Sequence, residues 1–316
     1  MGTYLARRLL LLIPVIFGVT VVVFGMMHLA PGDPAVVMAG PRATPEILAE
    51  VRRYLGLDQP LVVQYFTWVG HALQGDLGRS IRQGEQVSTL VLARFHDSVL
   101  LGLTAFGVAS TIGISVGVLS ALHRGSLVDR AVMLVSMLGV STPAFFLGMV
   151  LIVVFAFRFP ILPMSGLQSI DGPSGPFDVA RHLILPAITL AAPSMTVIAR
   201  VVRASVLETV GRDYVRTAQA KGLHDFAVVS QHILKNALIP VITLLGLQVG
   251  FLLGGAAIVE VVFSYPGIGN LMVKSIVERD LPVTQGCVLL IASVYVLVNI
   301  GADVLQAYLD PRIRVT

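Results

Sequence analysis

Six long apolar stretches, each free of Asp, Glu, Lys and Arg, alternate with polar segments along the chain. They cover residues 9–32, 99–123, 131–157, 182–199, 236–259 and 281–302. Most approach or exceed the length of about twenty residues that a helix needs to cross a bilayer core. Because each backbone amide in lipid must find its partner within the segment, the pattern predicts an all-α integral membrane protein with six transmembrane helices.

The composition agrees with this pattern. The chain has 316 residues, of which 55% are hydrophobic and 13% are charged, about half the charged fraction of a soluble domain. The single cysteine, Cys287, excludes a disulfide framework and a Cys-based zinc site. Basic loops of a membrane protein account for the net charge of +4, so no nucleic acid partner is expected.

The basic residues near the stretches predict an orientation. The first stretch follows Arg7 and Arg8 but is longer than the apolar region of a signal peptide, so we expect an uncleaved first helix. The fourth stretch is short, and Arg200 and Arg203 at its end are expected to snorkel to an interface. With the N-terminus inside, twelve lysines and arginines flank the inner ends, against four in the two short outer loops. Both termini are therefore predicted to be cytoplasmic.

The segments outside the membrane complete the expected organisation. Residues 33–97 form an external subdomain after the first helix (1–32), a five-helix core covers 98–309, and 310–316 are a cytoplasmic tail. Within the subdomain, "TPEILAEVRRYLGL" predicts a short amphipathic helix capped by Thr44. The subdomain is either a passive cap or a docking surface for a delivery protein.

The loop after the fifth stretch predicts another short helix, from Ile268 to about Glu278. Its apolar residues Leu271, Ile276 and Val277 are expected on the membrane face.

The polar interruption at residues 211–236 stands out from its apolar surroundings. In "RTAQAKGLHDFAVVSQHILKN", Gly222 predicts the end of one helix, and Asp225 is expected to cap a second one that runs to about Leu234. Leu223, Phe226, Val229 and Ile233 would then form an apolar stripe. This stripe fits either a helix resting on lipid headgroups or a helix docked in a groove of a separate protein.

Several separated motifs resemble one family. "RTAQAKG", nine residues and then "HILKNALIP" is similar to the EAA loop of bacterial ABC-importer permeases, in the version of the dipeptide/oligopeptide/nickel branch. Arg216 stands where other branches have the Glu of "EAA". The opening "YLARRLLLLIPVIFGVTVVVFGMMHLAPGDPA", the external "LGLDQPLVVQY" and "GDLGRS", and "VEVVFSYPGIGNLMVKSI" also resemble this branch, so the likeness covers the whole chain.

The resemblance implies a first-type dipeptide permease in the inner membrane of a bacterium. It implies a second homologous permease, two ATPase subunits that carry ATP and Mg, and an external substrate-binding protein, with a peptide as substrate. It further implies that the 211–236 loop is a coupling helix held by an ATPase. The residues assigned to coupling are Arg216, Ala218, Lys221, Gly222, Leu223, Asp225, Phe226 and Val229.

The chain itself carries no catalytic signature. Phosphate-loop, zinc-protease and serine-hydrolase motifs are absent, and His224 and His232 have no third ligand nearby in the sequence. We therefore expect a non-catalytic permease without a cofactor of its own.

Polar residues within the stretches are candidates for the translocation pathway. Ser141 and Ser194 lie beside prolines that kink a helix or open its backbone to water, and Glu260 either anchors the surface or lines the pathway mouth. The candidates are Gln248, Asn299, Ser141, Ser194 and Glu260. Gly246, Gly250 and Gly254 suit close packing within the chain or against the second permease.

The substrate stays open at this point. Short peptides are the first interpretation, and nickel or glutathione are alternatives within the same branch. A self-sufficient secondary transporter is a further alternative, but the chain shows no inverted repeat and no carboxylate in the middle of a stretch.

Overall fold

The computed structural model describes residues 2–29, 33–40, 42–54, 56–169 and 175–309. Within these ranges the regular backbone is helical, and the one β-type pairing is an isolated antiparallel bridge between Arg79 and Gln86. The predicted all-α fold is confirmed. The predicted tail, 310–316, lies outside the described residues.

The helices are numbered here in chain order. α7 ends in a π-helical turn, Val153–Arg158, and α10 contains one at Val228–Leu234. Their bounds are α1 Gly2–Leu29, α2 Pro34–Ala39, α3 Pro45–Tyr54, α4 Leu61–Leu73, α5 Val87–Leu122, α6 Leu127–Ser141, α7 Ala144–Arg158, α8 Pro176–Val210, α9 Asp213–Ala220, α10 Asp225–Ala237, α11 Ile239–Val262, α12 Ile268–Glu278 and α13 Leu281–Leu309.

The long apolar helices fall on the six predicted stretches. α5, α8 and the Leu281–Ala302 part of α13 are each long and apolar enough to cross a membrane. Two bent pairs satisfy the same criterion together: α6 with α7, bent by 108°, and α10 with the first part of α11, bent by 54°. α1 carries a shorter apolar stretch, Leu12–Met26.

Two compact units share these helices. The first unit contains residues 1–98 and 266–297, and the second contains residue 99 to residue 265 with the chain from residue 298 onward. The division passes within α5 and α13. Residues 33–97, predicted as a subdomain, belong to the first unit together with α1 and the segment 266–297.

The second unit is built around α8. In the most apolar 18 residues of α8, 72% are buried, against 22% in the most apolar 18 residues of α5. α8 is continuous through Pro186 and Pro193, so the helix is not interrupted beside Ser194. Glycines allow α5 to approach α8 closely: a Cβ added at Gly117 would lie 2.6 Å from the backbone oxygen of Ala199.

The third predicted stretch is two helices rather than one. Pro143 disfavours helical backbone at the preceding residue, and Thr142 is extended with ψ of 120°. Residues of α6, of α7 and of the segment after α7 nonetheless contact α8 in order along its length. The contacts are Asp129 with Arg203, Gly139 with Thr196, Gly148 with Thr189 and Ile161 with Arg181. α6 and α7 therefore pack along successive parts of α8, although their axes are bent by 108°.

A buried ion pair fixes the start of α6 against α8. The Asp129 carboxylate accepts hydrogen bonds from Arg203 Nε at 2.7 Å and Arg203 Nη2 at 2.8 Å. It also accepts from Ser120 Oγ and from the Gly125 N–H at 2.9 Å. Arg203, predicted to snorkel to an interface, pairs with Asp129, and the two side chains are 24% and 6% exposed.

The first unit has its own small apolar core. Val87 and Val91 of α5 pack with Ile268 and Leu271 of α12 and with Cys287 of α13. The predicted short helices are confirmed as α3 and α12. The expected common face of α12 is not observed, because Leu271 is buried.

The two other residues predicted for that face are outside the core. Ile276 is 52% exposed and Val277 is 78% exposed. Leu271 therefore packs inward, while Ile276 and Val277 are exposed at two different positions around α12.

A buried carboxylate ties two distant segments of the first unit together. Asp280, between α12 and α13, accepts a hydrogen bond from Ser80 Oγ at 2.5 Å. It also accepts from the backbone N–H groups of Ile81 and Arg82, each at 3.2 Å. The turn at residues 80–84 is thereby held against the end of α12.

Candidate functional site

The polar interruption folds as two short helices, α9 and α10, joined by a tight turn. Gly222 adopts a φ of +75° there. The Gly222 N–H donates to the Gln219 carbonyl at 2.9 Å, and the Leu223 N–H donates to the Ala218 carbonyl at 3.4 Å. This pair of bonds is a Schellman motif, which satisfies the last carbonyls of α9. The predicted helix end at Gly222 is confirmed.

Apolar side chains anchor both helices in the second unit. Val215 and Ala218 of α9 are 0% and 4% exposed. Val228, Ile233 and Ala237 of α10 are buried in the same core. Ala218 is therefore an anchoring residue within the chain, and its assigned contact with an ATPase is not supported by its position.

The π-helical turn explains which side of α10 is buried. Val228 and Ile233 are five residues apart, a spacing that places them on different sides of a regular α-helix. In a π-helix the hydrogen bonds join residues five apart, so both side chains face inward within Val228–Leu234. The predicted stripe is wrong at this point, because Ile233 is buried and is not on the same face as Phe226.

The turn between α9 and α10 presents an exposed apolar tip. Phe226 is 76% exposed and Leu223 is 42% exposed. The cap of α10 is His224, whose Nδ1 accepts the Phe226 N–H at 3.3 Å. The predicted cap, Asp225, is instead the first residue of the helix. Val229 is partly buried beside the tip.

Exposed charged side chains lie along α9 and at the turn itself. Arg216 Nη1 lies 3.9 Å from Asp213 Oδ1, and the two side chains are 74% and 99% exposed. Such an exposed pair adds little stability, so both groups remain available to a partner. Lys221 and Asp225 are also exposed. The tip therefore combines an aromatic side chain with charges of both signs.

Two of the predicted pathway residues contact each other inside the second unit. Ser194 Oγ donates to Gln248 Oε1 at 3.4 Å, joining α8 to α11. Ser194 is 0% exposed and Gln248 is 7% exposed. In this conformation the pair links two helices and does not line an open cavity.

The other pathway candidates are dispersed. Ser141 is exposed at the end of α6, beside the bend, and Asn299 is partly buried in α13. Glu260 is 0% exposed near the end of α11, so the expected surface anchor is wrong. A Cβ added at Gly246 would lie 3.5 Å from Ala302 Cβ, whereas one at Gly254 would meet nothing within 4 Å. The glycine stripe thus packs within the chain at Gly246 but not at Gly254.

The solved structures give a likeness at the level of the fold. An inward-facing conformation of the MetNI methionine ABC transporter superposes with a TM-score of 0.56 at 18% sequence identity. The match covers 70% of this chain and 96% of that chain.

The curated relatives are similar over their full lengths. The chain is 45% identical to the di/tripeptide transport system permease protein DppB of Pseudomonas aeruginosa, with 99% of both chains covered. It is 42% identical to a probable peptide ABC transporter permease of Sinorhizobium fredii, with 99% of this chain and 100% of the relative covered. It is 43% identical to the glutathione transport system permease protein GsiC of Escherichia coli, with 99% of both covered.

Two family profiles divide the chain between them. The N-terminal profile of binding-protein-dependent transport system membrane components matches residues 1–102. The profile of the inner membrane component itself matches residues 113–315. The chain belongs to the family of binding-protein-dependent transport system inner membrane components, the multi-pass permease subunits of ABC importers.

Proposed function

We propose that this permease imports short peptides and that the α9–α10 turn couples it to an ATPase subunit. The peptide assignment is supported by the di/tripeptide permease at 45% identity and the probable peptide permease at 42% identity. The coupling assignment rests on one observation: Phe226 is 76% exposed at the tip of a turn that is anchored on both sides in the core.

The tip has the properties of a docking contact. Aromatic side chains that fill a partner's pocket dominate many interfaces. A phenylalanine offers about 200 Å² for burial, so covering its exposed three quarters is worth at most about 4 kcal/mol at about 25 cal/mol per Å². The buried Val215, Val228 and Ile233 hold the tip firmly. A force applied at Phe226 therefore reaches the helices and is not absorbed by a loose loop.

The proposed arrangement places this turn in the cytoplasm. The excess of basic residues on one side supports cytoplasmic termini, and the ordered contacts of α6 and α7 along α8 support a single crossing there. In this arrangement α1, α5 and the α6–α7 pair each cross the membrane once before α8. α8 is then the fourth crossing and returns the chain to the side of the N-terminus.

The working cycle follows from this geometry. Two ATPase subunits bind ATP and Mg and close together, and each carries one coupling turn with it. The anchored helices move with the turn as a rigid body, which exchanges an outward-open for an inward-open pathway between two homologous permeases. An external binding protein delivers the substrate. In this proposal the chain holds no cofactor and performs no catalysis itself.

A charge placed at the tip tests the coupling role. The variant Phe226→Asp, assembled with its partner subunits, is expected to keep its expression and to lose most peptide uptake and ATPase binding. The matched control is Phe177→Asp, since Phe177 is 79% exposed at the opposite end of α8. Equal peptide uptake by the two variants would show that the tip does not couple the permease to an ATPase. The family assignment would not be affected by that result.

Glutathione is the second candidate substrate, because a glutathione permease is 43% identical over the full chain. Uptake of labelled dipeptides, glutathione and nickel should be compared in a strain that lacks this permease. We expect the plasmid-borne chain, expressed with its partners, to restore dipeptide uptake most strongly. Restoration of glutathione or nickel uptake alone would contradict the peptide proposal.

A further inference from the structure

A basic cleft lies within the first unit, and none of its residues belongs to the α9–α10 turn. Its volume is about 640 Å³, and its lining consists of Arg82, Gln83, Arg94, Lys274 and Glu278. Three cationic side chains and one carboxylate give the lining a net charge of +2. A cleft with this excess of positive charge favours an anionic ligand.

The backbone around the cleft is held in place before any ligand arrives. Asp280 accepts the Arg82 N–H at 3.2 Å, and Arg82 Nε donates to the Glu278 carbonyl at 2.9 Å. Lys274 lies 3.9 Å from the Glu278 carboxylate. Among the described residues, no ion pair of Arg94 with a carboxylate is observed, so its charge faces the cleft without a close counter-charge from them.

The position of Arg94 along α5 places the cleft at headgroup depth. Arg94 lies five residues before Val99, where the charge-free apolar run of α5 begins. At 1.5 Å per residue this is about 7.5 Å beyond the apolar run. The headgroup layer on each side of a bilayer is about 5–8 Å thick. The guanidinium therefore lies where phospholipid phosphates lie.

α12 supplies an apolar surface beside the same cleft. Val273 and Val277, four residues apart, are 38% and 78% exposed, although Leu271 and Ser275 of the same helix are buried. On a helical wheel Lys274 and Glu278 lie between buried Leu271 and Ser275 and the exposed strip of Val273 and Val277. An exposed apolar strip next to a basic strip is typical of helices that lie in the membrane interface.

We propose that this cleft binds the phosphate of an anionic phospholipid, with the acyl chains beside Val273 and Val277. Arg94 and Lys274 contact the phosphate, and Arg82 orients the Glu278 end of the cleft. The charge, the depth and the exposed apolar strip favour a lipid over an acidic protein surface. The proposal is independent of the transported substrate and of the α9–α10 turn.

Native mass spectrometry of the full chain, purified with its partner subunits, tests this site. The probes are phosphatidylglycerol, phosphatidylcholine and inorganic phosphate. The test variant is Arg94→Gln with Lys274→Gln. The matched control is Arg42→Gln with Arg53→Gln, which removes two exposed cations of the same unit outside the cleft.

The expected result is a selective loss of lipid. One cation near an anionic lipid strengthens binding about fivefold, so losing two weakens phosphatidylglycerol binding about 30-fold. The control pair should retain phosphatidylglycerol like the unaltered chain. The charge-conserving pair Arg94→Lys with Lys274→Arg should also retain it, which separates lost charge from misfolding.

Three results would overturn the proposal. The first is equal retention of phosphatidylglycerol by the test and control variants. The second is binding of inorganic phosphate in place of the lipid at the same cations. The third is a test variant that keeps the lipid but no longer binds its external binding protein, which would make the cleft a docking surface for protein.

Discussion

Replacing Asp129 with asparagine removes the negative charge that pairs with Arg203 while nearly preserving the shape of the side chain. The Asp129 carboxylate accepts two hydrogen bonds from Arg203 and two more from Ser120 and Gly125. The side chains of Asp129 and Arg203 are 6% and 24% exposed. The neutral amide of the Asp129→Asn variant would leave a mostly buried guanidinium without a counter-charge.

The expected cost follows from this burial. Removing one partner of a buried ion pair costs about 3–5 kcal/mol, and the partial exposure of Arg203 favours the lower end, about 3 kcal/mol. Removing both partners leaves no unpaired charge. The double variant Asp129→Asn with Arg203→Gln should therefore lose less stability than the two single changes added together, by about 1–3 kcal/mol.

Unfolding in mixed detergent micelles, followed by circular dichroism, measures these free energies. The control is Arg212→Gln, because Arg212 pairs with Glu208 at the surface, with side chains that are 60% and 70% exposed. Its cost should stay below about 1 kcal/mol. Strict additivity of the two single changes would refute the view that Asp129 and Arg203 hold α6 against α8.

Three further changes address the α9–α10 turn, the contact between α8 and α11, and the ion pair of Asp33 with Arg52. Gly222→Ala should cost about 1–2 kcal/mol of unfolding free energy through its positive φ alone, because a Cβ there meets nothing within 4 Å; equal stability of Gly222→Ala and the better tolerated Gly222→Asn would contradict this. Ser194→Ala removes a hydrogen bond to Gln248 and should cost about 0.6 kcal/mol without altering substrate preference in uptake assays, whereas a changed preference would return Ser194 to the pathway. The hydrogen bond from Arg52 lowers the pKa of Asp33. The stabilisation from this pair is therefore complete above the ordinary carboxyl pKa of about 4 and is lost as the pH falls through the lowered pKa. Between neutral and acid pH the melting temperature of Arg52→Gln should fall less than that of the unaltered chain, and an identical fall would contradict the assignment.

The sequence predicted the helices well because their signals are local. Charge-free apolar runs depend only on the cost of burying charge in lipid, and a helix lies on each of the six predicted stretches. Gly222 and the 268–278 helix were likewise set by turn and capping preferences of nearby residues. Even the α6 cap has a local signal, since Ser126 Oγ accepts the Asp129 N–H at 3.3 Å.

Features that depend on distant partners were not predicted. The ion pair of Arg203 with Asp129 was not predicted, because the two residues are 74 positions apart in the sequence. The π-helical turn at Val228–Leu234 shifted Ile233 inward, although an α-helical period had placed it beside Phe226. The burial of Glu260 was not predicted either, since the sequence alone does not show what packs around it.

The most direct test of the account is a cysteine crosslink from the tip of the α9–α10 turn. The single native cysteine, Cys287, is 0% exposed, so a cysteine at position 226 can be labelled selectively. The assembled transporter carrying Phe226→Cys would be treated with a short thiol crosslinker, with Phe177→Cys as the control.

We expect Phe226→Cys to crosslink to an ATPase subunit that carries a cysteine in its permease-facing cleft, and Phe177→Cys not to do so. In sealed cells, position 226 should be inaccessible to a membrane-impermeant thiol reagent. Labelling of position 226 from outside, or no crosslink to an ATPase with or without ATP, would contradict the coupling role of this turn.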